Sequence, residues 1–101
     1  MKIYLIKSLN DGTYKIGVSK NPEKRIKQLQ TGNSSQLQLL NVYETVIPFK
    51  VEKVLHSTFQ IDRKEGEWFY LSIKDELDFL NQCNMIEKNL LCLIKEENKF
   101  I

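Results

Sequence analysis

The stretch from Met1 to Val18 constrains the rest of the chain most, because it reads as a β-hairpin. Lys2-Ile3-Tyr4-Leu5-Ile6-Lys7 is rich in β-branched and aromatic residues, Asn10-Asp11-Gly12 supplies a turn, and Thr13-Tyr14-Lys15-Ile16-Gly17-Val18 returns. The connection runs over roughly five residues, Ser8 to Gly12, and Gly12 is suited to the φ > 0 position that such loops need. On the returning strand the period of two sets Tyr14, Ile16 and Val18 on one face, and Lys15 and Gly17 on the other. A glycine inside a strand marks a bulge or a close approach. A register that sets Tyr4 near Gly17 lets the ring lie over bare backbone. That arrangement serves either to hold the hydroxyl at a fixed point or simply to pack an aromatic on a glycine.

A chain of 101 residues that is 42% hydrophobic makes one small domain with a single modest core. Cys83 and Cys92 fall in one expected helix, more than about 10 Å apart along its axis, so they cannot bridge each other there. With no C-x-x-C and only His56 as an imidazole, a structural zinc site is not expected. Cysteine usage fits a reducing, intracellular (cytoplasmic) setting. No signal peptide precedes the first strand, and no apolar run is long enough for a bilayer, so no membrane partner is expected. Charge is distributed unevenly. Residues 1–64 carry eleven Lys or Arg against five Asp or Glu, and residues 65–101 carry four against eight. The first part can attract a polyanion, although a merely solubilising lysine surface has the same composition.

Beyond the hairpin, Asn21 is an N-cap, Pro22 the first helical residue and Glu23 an acid in the positive first turn. Pro22, Ile26 and Leu29 form the apolar stripe and Thr31-Gly32 the stop. Arg25 lies beside that stripe, able to pack its stem and extend its guanidinium, and Lys20, Lys24 and Lys27 surround the same helix. Leu37 to Val46 reads as a third strand, with Leu37, Leu39, Asn41, Tyr43 and Thr45 on one face. Neither face is polar, which a bulge or cover on both sides would explain. A second helix, about Phe49 to Phe59, buries Val51, Val54, Leu55 and Phe59. On its flank Glu52 and His56 stand at i,i+4, able to share a proton, flank a hydrated metal or simply hydrogen-bond each other.

Gln60 to Glu67 is a charged connection, and Trp68-Phe69-Tyr70-Leu71 either closes the core as a short strand or offers a stacking platform for bases. Ser72 caps a helix starting at Ile73, with Leu77, Leu80 and Asn84 on one ridge and Ile73, Phe79 and Ile86 beside it. Leu90 to Ile94 continues this helix or follows a break near Cys83-Asn84, and packs on the core or a partner. Lys95 to Ile101 is expected to fray.

These pieces together resemble a known family. Ile3-Tyr4-Leu5, then Tyr14-Lys15-Ile16-Gly17, Arg25, Val51-Glu52-Lys53-Val54-Leu55-His56 and Gly66-Glu67-Trp68-Phe69 occur in the order and spacing of a GIY-YIG-type nuclease domain. The likeness is to the small T5orf172 or MUG113-type branch common in phage and viral proteins. It covers residues 1–71, with residues 72–101 as an added C-terminal helical segment. The resemblance implies an α/β (α+β) fold, a three-stranded antiparallel sheet flanked by helices. It also implies divalent-cation-dependent (Mg²⁺ or Mn²⁺) hydrolysis of DNA phosphodiester bonds by an endonuclease. Carried over, Glu52 is the metal ligand, Arg25 the phosphate clamp and Tyr4 the first-strand tyrosine, while His56 acts as general base or orients the water. Tyr14, Lys20, Lys24 and Lys27 are the expected nucleic-acid contacts.

Where the family has its second signature tyrosine this chain has Lys15, the first signature glycine is Lys2, and Val18 follows Gly17. Lys15 enters the site set either as a phosphate ligand or as a proton acceptor. A catalytically silent nucleic-acid-binding module and a protein-interaction domain are the other readings. DNA is the expected partner, through a monomer or a weak homodimer joined by the C-terminal segment. No zinc finger or helix-turn-helix pair is evident, so base recognition falls to a separate DNA-recognition partner.

Overall fold

The computed structural model describes residues 1–59, 63–65 and 68–98. The hairpin forms as expected. β1 (Lys2–Ser8) and β2 (Thr13–Ser19) pair antiparallel, Gly12 takes φ 67°, and its N–H donates to the Ser8 carbonyl at 2.9 Å. After it come α1 (Pro22–Thr31), β3 (Leu37–Glu44), α2 (Pro48–Thr58), β4 (Arg63–Glu65), β5 (Trp68–Phe69), α3 (Ile73–Leu77) and α4 (Phe79–Asn98). The expected α/β class with a helix-flanked antiparallel sheet holds, but three strands is an undercount. Among the described residues the sheet has five, in the order β3-β1-β2-β5-β4, every neighbour antiparallel.

Two helix starts follow from their caps. Asn21 Oδ1 accepts from the Lys24 N–H at 3.1 Å, and Ser72 Oγ from the Asp75 N–H at 3.1 Å. The third strand departs from simple alternation. Leu5 pairs with Asn41 but Ile6 pairs with Leu39, so Leu40 is an extra residue in β3. The bulge turns Leu37 and Leu39 toward α1, while Leu40 and Tyr43 pack on the opposite side. Both stretches carry apolar residues because each half of the strand serves a different core.

The aromatic run splits. Trp68 and Phe69 form β5 beside β2, with Phe69 fully buried, whereas Tyr70 is half exposed. The connection before it contains β4, and Gly66 and Glu67 of the expected motif lie outside the described residues. The C-terminal helix breaks at Asp78 rather than near Cys83-Asn84. Its inward ridge is Phe79, Cys83, Ile86 and Leu90, not Leu77, Leu80 and Asn84, and Leu77 is 80% exposed. Residues 95–98, expected to fray, are helical, and residues 99–101 lie outside the described set.

Two cores result. Ile3, Leu5, Tyr14 and Ile16 meet Val51, Leu55, Phe59, Phe69, Phe79 and Cys83 on the α2/α4 face of the sheet. On the other face Tyr4, Ile6 and Leu37 are covered by Ile26 and Leu29 of α1, with Leu39 and Trp68 alongside.

Candidate functional site

Strand parity assembles the first part of the site. Tyr4 pairs with Gly17 and Ile6 with Lys15, so Tyr4, Lys15 and Gly17 share the α1 face. A Cβ at Gly17 would lie 2.9 Å from Tyr4 Cε2 and closer still to Cζ and the hydroxyl oxygen, so only a bare backbone admits the ring. Tyr4 is 2% exposed, which leaves its hydroxyl little freedom. Lys15 is 6% exposed and pairs with Trp68 across β2 and β5, its Nζ 5.8 Å from the centre of that ring. Trp68, which the sequence offers as core or stacking platform, is a neighbour of Lys15 that no local sequence signal marks.

Arg25 arrives from α1, half-buried on the helix that covers this face. With Ser19, Lys20, Asn21, Lys24 and Gln28 it lines a cleft of ≈ 350 Å³ at the junction of β2 and α1. Among the described residues three cations and no carboxylate line it, and exposed Lys27 adds a further cation on α1. This is the local form of the basic character of the first 64 residues.

Glu52 and His56 come from the other layer. Buried Val51 and Leu55 hold α2 against the sheet, leaving both residues half-buried on its flank. The His56 Nε2 lies 2.8 Å from the Ile16 carbonyl, and its ring is 5.2 Å from that of Phe69 at 52°. The two layers therefore touch β2 at neighbouring residues: His56 of α2 at the Ile16 carbonyl, and Tyr4 from the α1 side at Gly17, with Glu52 one turn before His56 on α2. Among the described residues no group of three or more His, Cys, Asp or Glu side chains could hold a metal ion. A hard cation such as Mg²⁺ can take one carboxylate with water and phosphate oxygens completing its shell, and Glu52 is a residue of that donor type on α2.

Tyr14 corrects an expectation. It lies on the α2/α4 face, opposite Tyr4 and Lys15, and its hydroxyl donates to Glu76 Oε1 at 2.8 Å, so its polar atom is engaged away from the basic cleft. Lys7 Nζ reaches the same carboxylate oxygen at 3.3 Å and lies 5.4 Å from the Tyr14 ring centre. Burial first, then the bond to Glu76, raises the phenol above its ordinary value. Tyr14 thus ties α3 to the sheet.

A five-stranded antiparallel sheet flanked by helices, with a basic cleft between β2 and α1, makes this a mixed α/β domain. The T5orf172 domain model matches residues 1–84, and the chain belongs to that family, which is associated with the GIY-YIG nucleases. Neither the curated proteins nor the solved structures gave a match. Among the described residues no helix is long and apolar enough to cross a membrane.

Proposed function

We propose that this domain is a divalent-cation-dependent endonuclease that hydrolyses DNA phosphodiester bonds beside the part of β2 that follows its pairing with β5. The observation that carries this reading is the contact of the two layers with β2 at neighbouring Ile16 and Gly17, in a chain of this family. Arg25 would bind two phosphoryl oxygens through its planar fork, and Lys20, Lys24 and Lys27 would draw in the flanking backbone. Tyr4, fixed over Gly17, would orient the water or the scissile phosphate through its hydroxyl. Lys15 would place a cation where the family carries its second tyrosine. Glu52 would hold Mg²⁺ or Mn²⁺, which when bound offsets the negative charge that grows on the phosphate. These contacts are to phosphate, so target selection would rest on a separate DNA-recognition partner. Residues 1–71 would then be the reactive unit. Residues 72–101 would brace it, and exposed Leu91 and Leu93 would allow a weak contact between two copies.

The test is cleavage of supercoiled, linear and branched DNA with Mg²⁺ or Mn²⁺, wild type beside Glu52→Ala and Arg25→Ala. Each variant should lose about 10²-fold or more in rate while keeping its fold. Undiminished cleavage by Glu52→Ala would remove the metal assignment. The second reading, a silent nucleic-acid-binding module, is favoured by Lys15 standing in the tyrosine position and being almost wholly buried. It predicts no cleavage by any form, with affinity for duplex DNA that falls steeply between ~50 and ~200 mM salt.

A further inference from the structure

The His56 hydrogen bond carries a consequence for its role in the site. A carbonyl oxygen only accepts, so a bond from the ring to the Ile16 carbonyl at 2.8 Å requires the hydrogen to be on Nε2. In the neutral ring the bare nitrogen is then Nδ1, which is bonded to Cγ and lies nearer the α2 backbone. Among the described residues β5 pairs with β2 at Tyr14 and Lys15 and goes no further. The imidazole takes up the next carbonyl, as a third strand residue would. That carbonyl immediately precedes Gly17, on which the Tyr4 ring rests. The ring is backed by fully buried Phe69, and the helix is held by buried Val51 and Leu55, so the imidazole has a defined place. Glu52 stands one turn earlier on the same helix.

Resting on the endonuclease reading above, we propose that His56 is a positioning residue. Its Nε2–H pins α2, and with it Glu52, to β2 at Gly17, and the reaction requires it as a hydrogen-bond donor rather than as a base. The nitrogen directed at the sheet is committed to a carbonyl and takes no proton from water.

Side-chain replacement separates the two roles. The glutamine amide nitrogen reaches the position of Nε2, whereas the asparagine amide nitrogen reaches only that of Nδ1, and phenylalanine keeps the ring without a donor. His56→Gln should retain kcat within about threefold of wild type, while His56→Asn and His56→Phe lose about 10- to 100-fold, the range for residues that orient a metal ligand. KM for DNA should stay within about twofold in all three, because none of them removes a phosphate contact. Glutamine as damaged as phenylalanine would overturn the proposal, since imidazole chemistry itself would then be needed.

A second readout does not depend on cleavage. Mn²⁺ alone, titrated into each folded protein, broadens the NMR signals around its ligand. Broadening at Glu52 should occur at similar Mn²⁺ concentrations in wild type and His56→Gln, and need about tenfold more in His56→Phe. Equal titrations in all three overturn the positioning role. A wild type that cleaves no DNA but shows this Mn²⁺ pattern overturns the nuclease reading and the catalytic need for His56, and upholds only its positioning of Glu52. A wild type that neither cleaves nor shows broadening at Glu52 ends both.

Discussion

On the α2/α4 face of the sheet ten buried side chains form one cluster, whereas the α1 face has three, covered by helix residues that are themselves only partly buried. Both faces draw on the same two strands, alternate residues going to each. The first face is almost wholly apolar and includes two phenylalanines and a cysteine with no exposed surface. The second holds a lysine, a glycine that accepts no Cβ, and a tyrosine confined above it. Concentrating apolar burial on one face leaves the other able to hold groups that would weaken a core. The large apolar cluster and the Tyr4, Gly17 and Lys15 group are thus divided between the two sides of one hairpin.

The strongest attempt to break that comparison is a matched pair of truncations. Phe79→Ala removes a fully buried ring from the large cluster and should cost about 3–5 kcal/mol. Leu29→Ala removes a partly buried side chain from the small one and should cost roughly 1–2 kcal/mol, because less apolar surface returns to water. Urea midpoints of the two variants decide it. Equal losses would mean that the faces share the load.

Gly17→Ala probes the α1 face more sharply. The added methyl must displace a ring that is 2% exposed, and overpacking of this kind costs about 1–3 kcal/mol. Combining it with Tyr4→Leu should recover part of that loss while leaving DNA cleavage abolished, since the hydroxyl is gone. Recovery of both stability and cleavage would show that Tyr4 only packs.

What the sequence revealed and what it hid divide along lines of distance. The hairpin, its Gly12 turn, the Tyr4–Gly17 pairing and the Asn21 and Ser72 caps are all written within a few neighbouring residues, and each is present. The β3 bulge at Leu40 was only hinted at, because alternation breaks when one residue is added and parity alone cannot say where. Strands as short as β4 and β5 carry no period of their own. Trp68 and Phe69 go to opposite faces only because β2 lies beside them. Leu77 and Leu80 are more apolar than Cys83, which favours them for an inward ridge in the sequence, yet with the break at Asp78 Leu77 ends α3 and both leucines are exposed. The bonds from Tyr14 to Glu76 and from His56 to the Ile16 carbonyl join residues 62 and 40 positions apart, and no local signal marks either. Candidate site residues can be named from the sequence, but the partners of Tyr14 and His56 come only from the fold.

The mildest prediction sharpens the comparison through pH. On the α2/α4 side Tyr43 donates to Glu87 Oε2, while Thr45 donates to Glu87 Oε1 at 2.9 Å, fastening α4 to β3. Burial first, and then the bond to Glu87, pushes the Tyr43 phenol from 10.0 up to about 12, and burial pushes the Cys83 thiol from 9.0 up to about 12. Both groups hold their protons more tightly folded than unfolded. Their contribution to stability is therefore complete below pH 9, declines as the unfolded chain begins to ionise, and is lost as pH rises through about 12. Urea titrations at successive pH values should show stability falling across that window, with tyrosinate absorbance of one phenol appearing only near its upper end. Tyr43→Phe should cost about 1 kcal/mol at neutral pH, the worth of one hydrogen bond, and should flatten the tyrosine part of the alkaline decline. An unchanged decline in Tyr43→Phe would place the alkaline sensitivity elsewhere than on the clasp between α4 and β3.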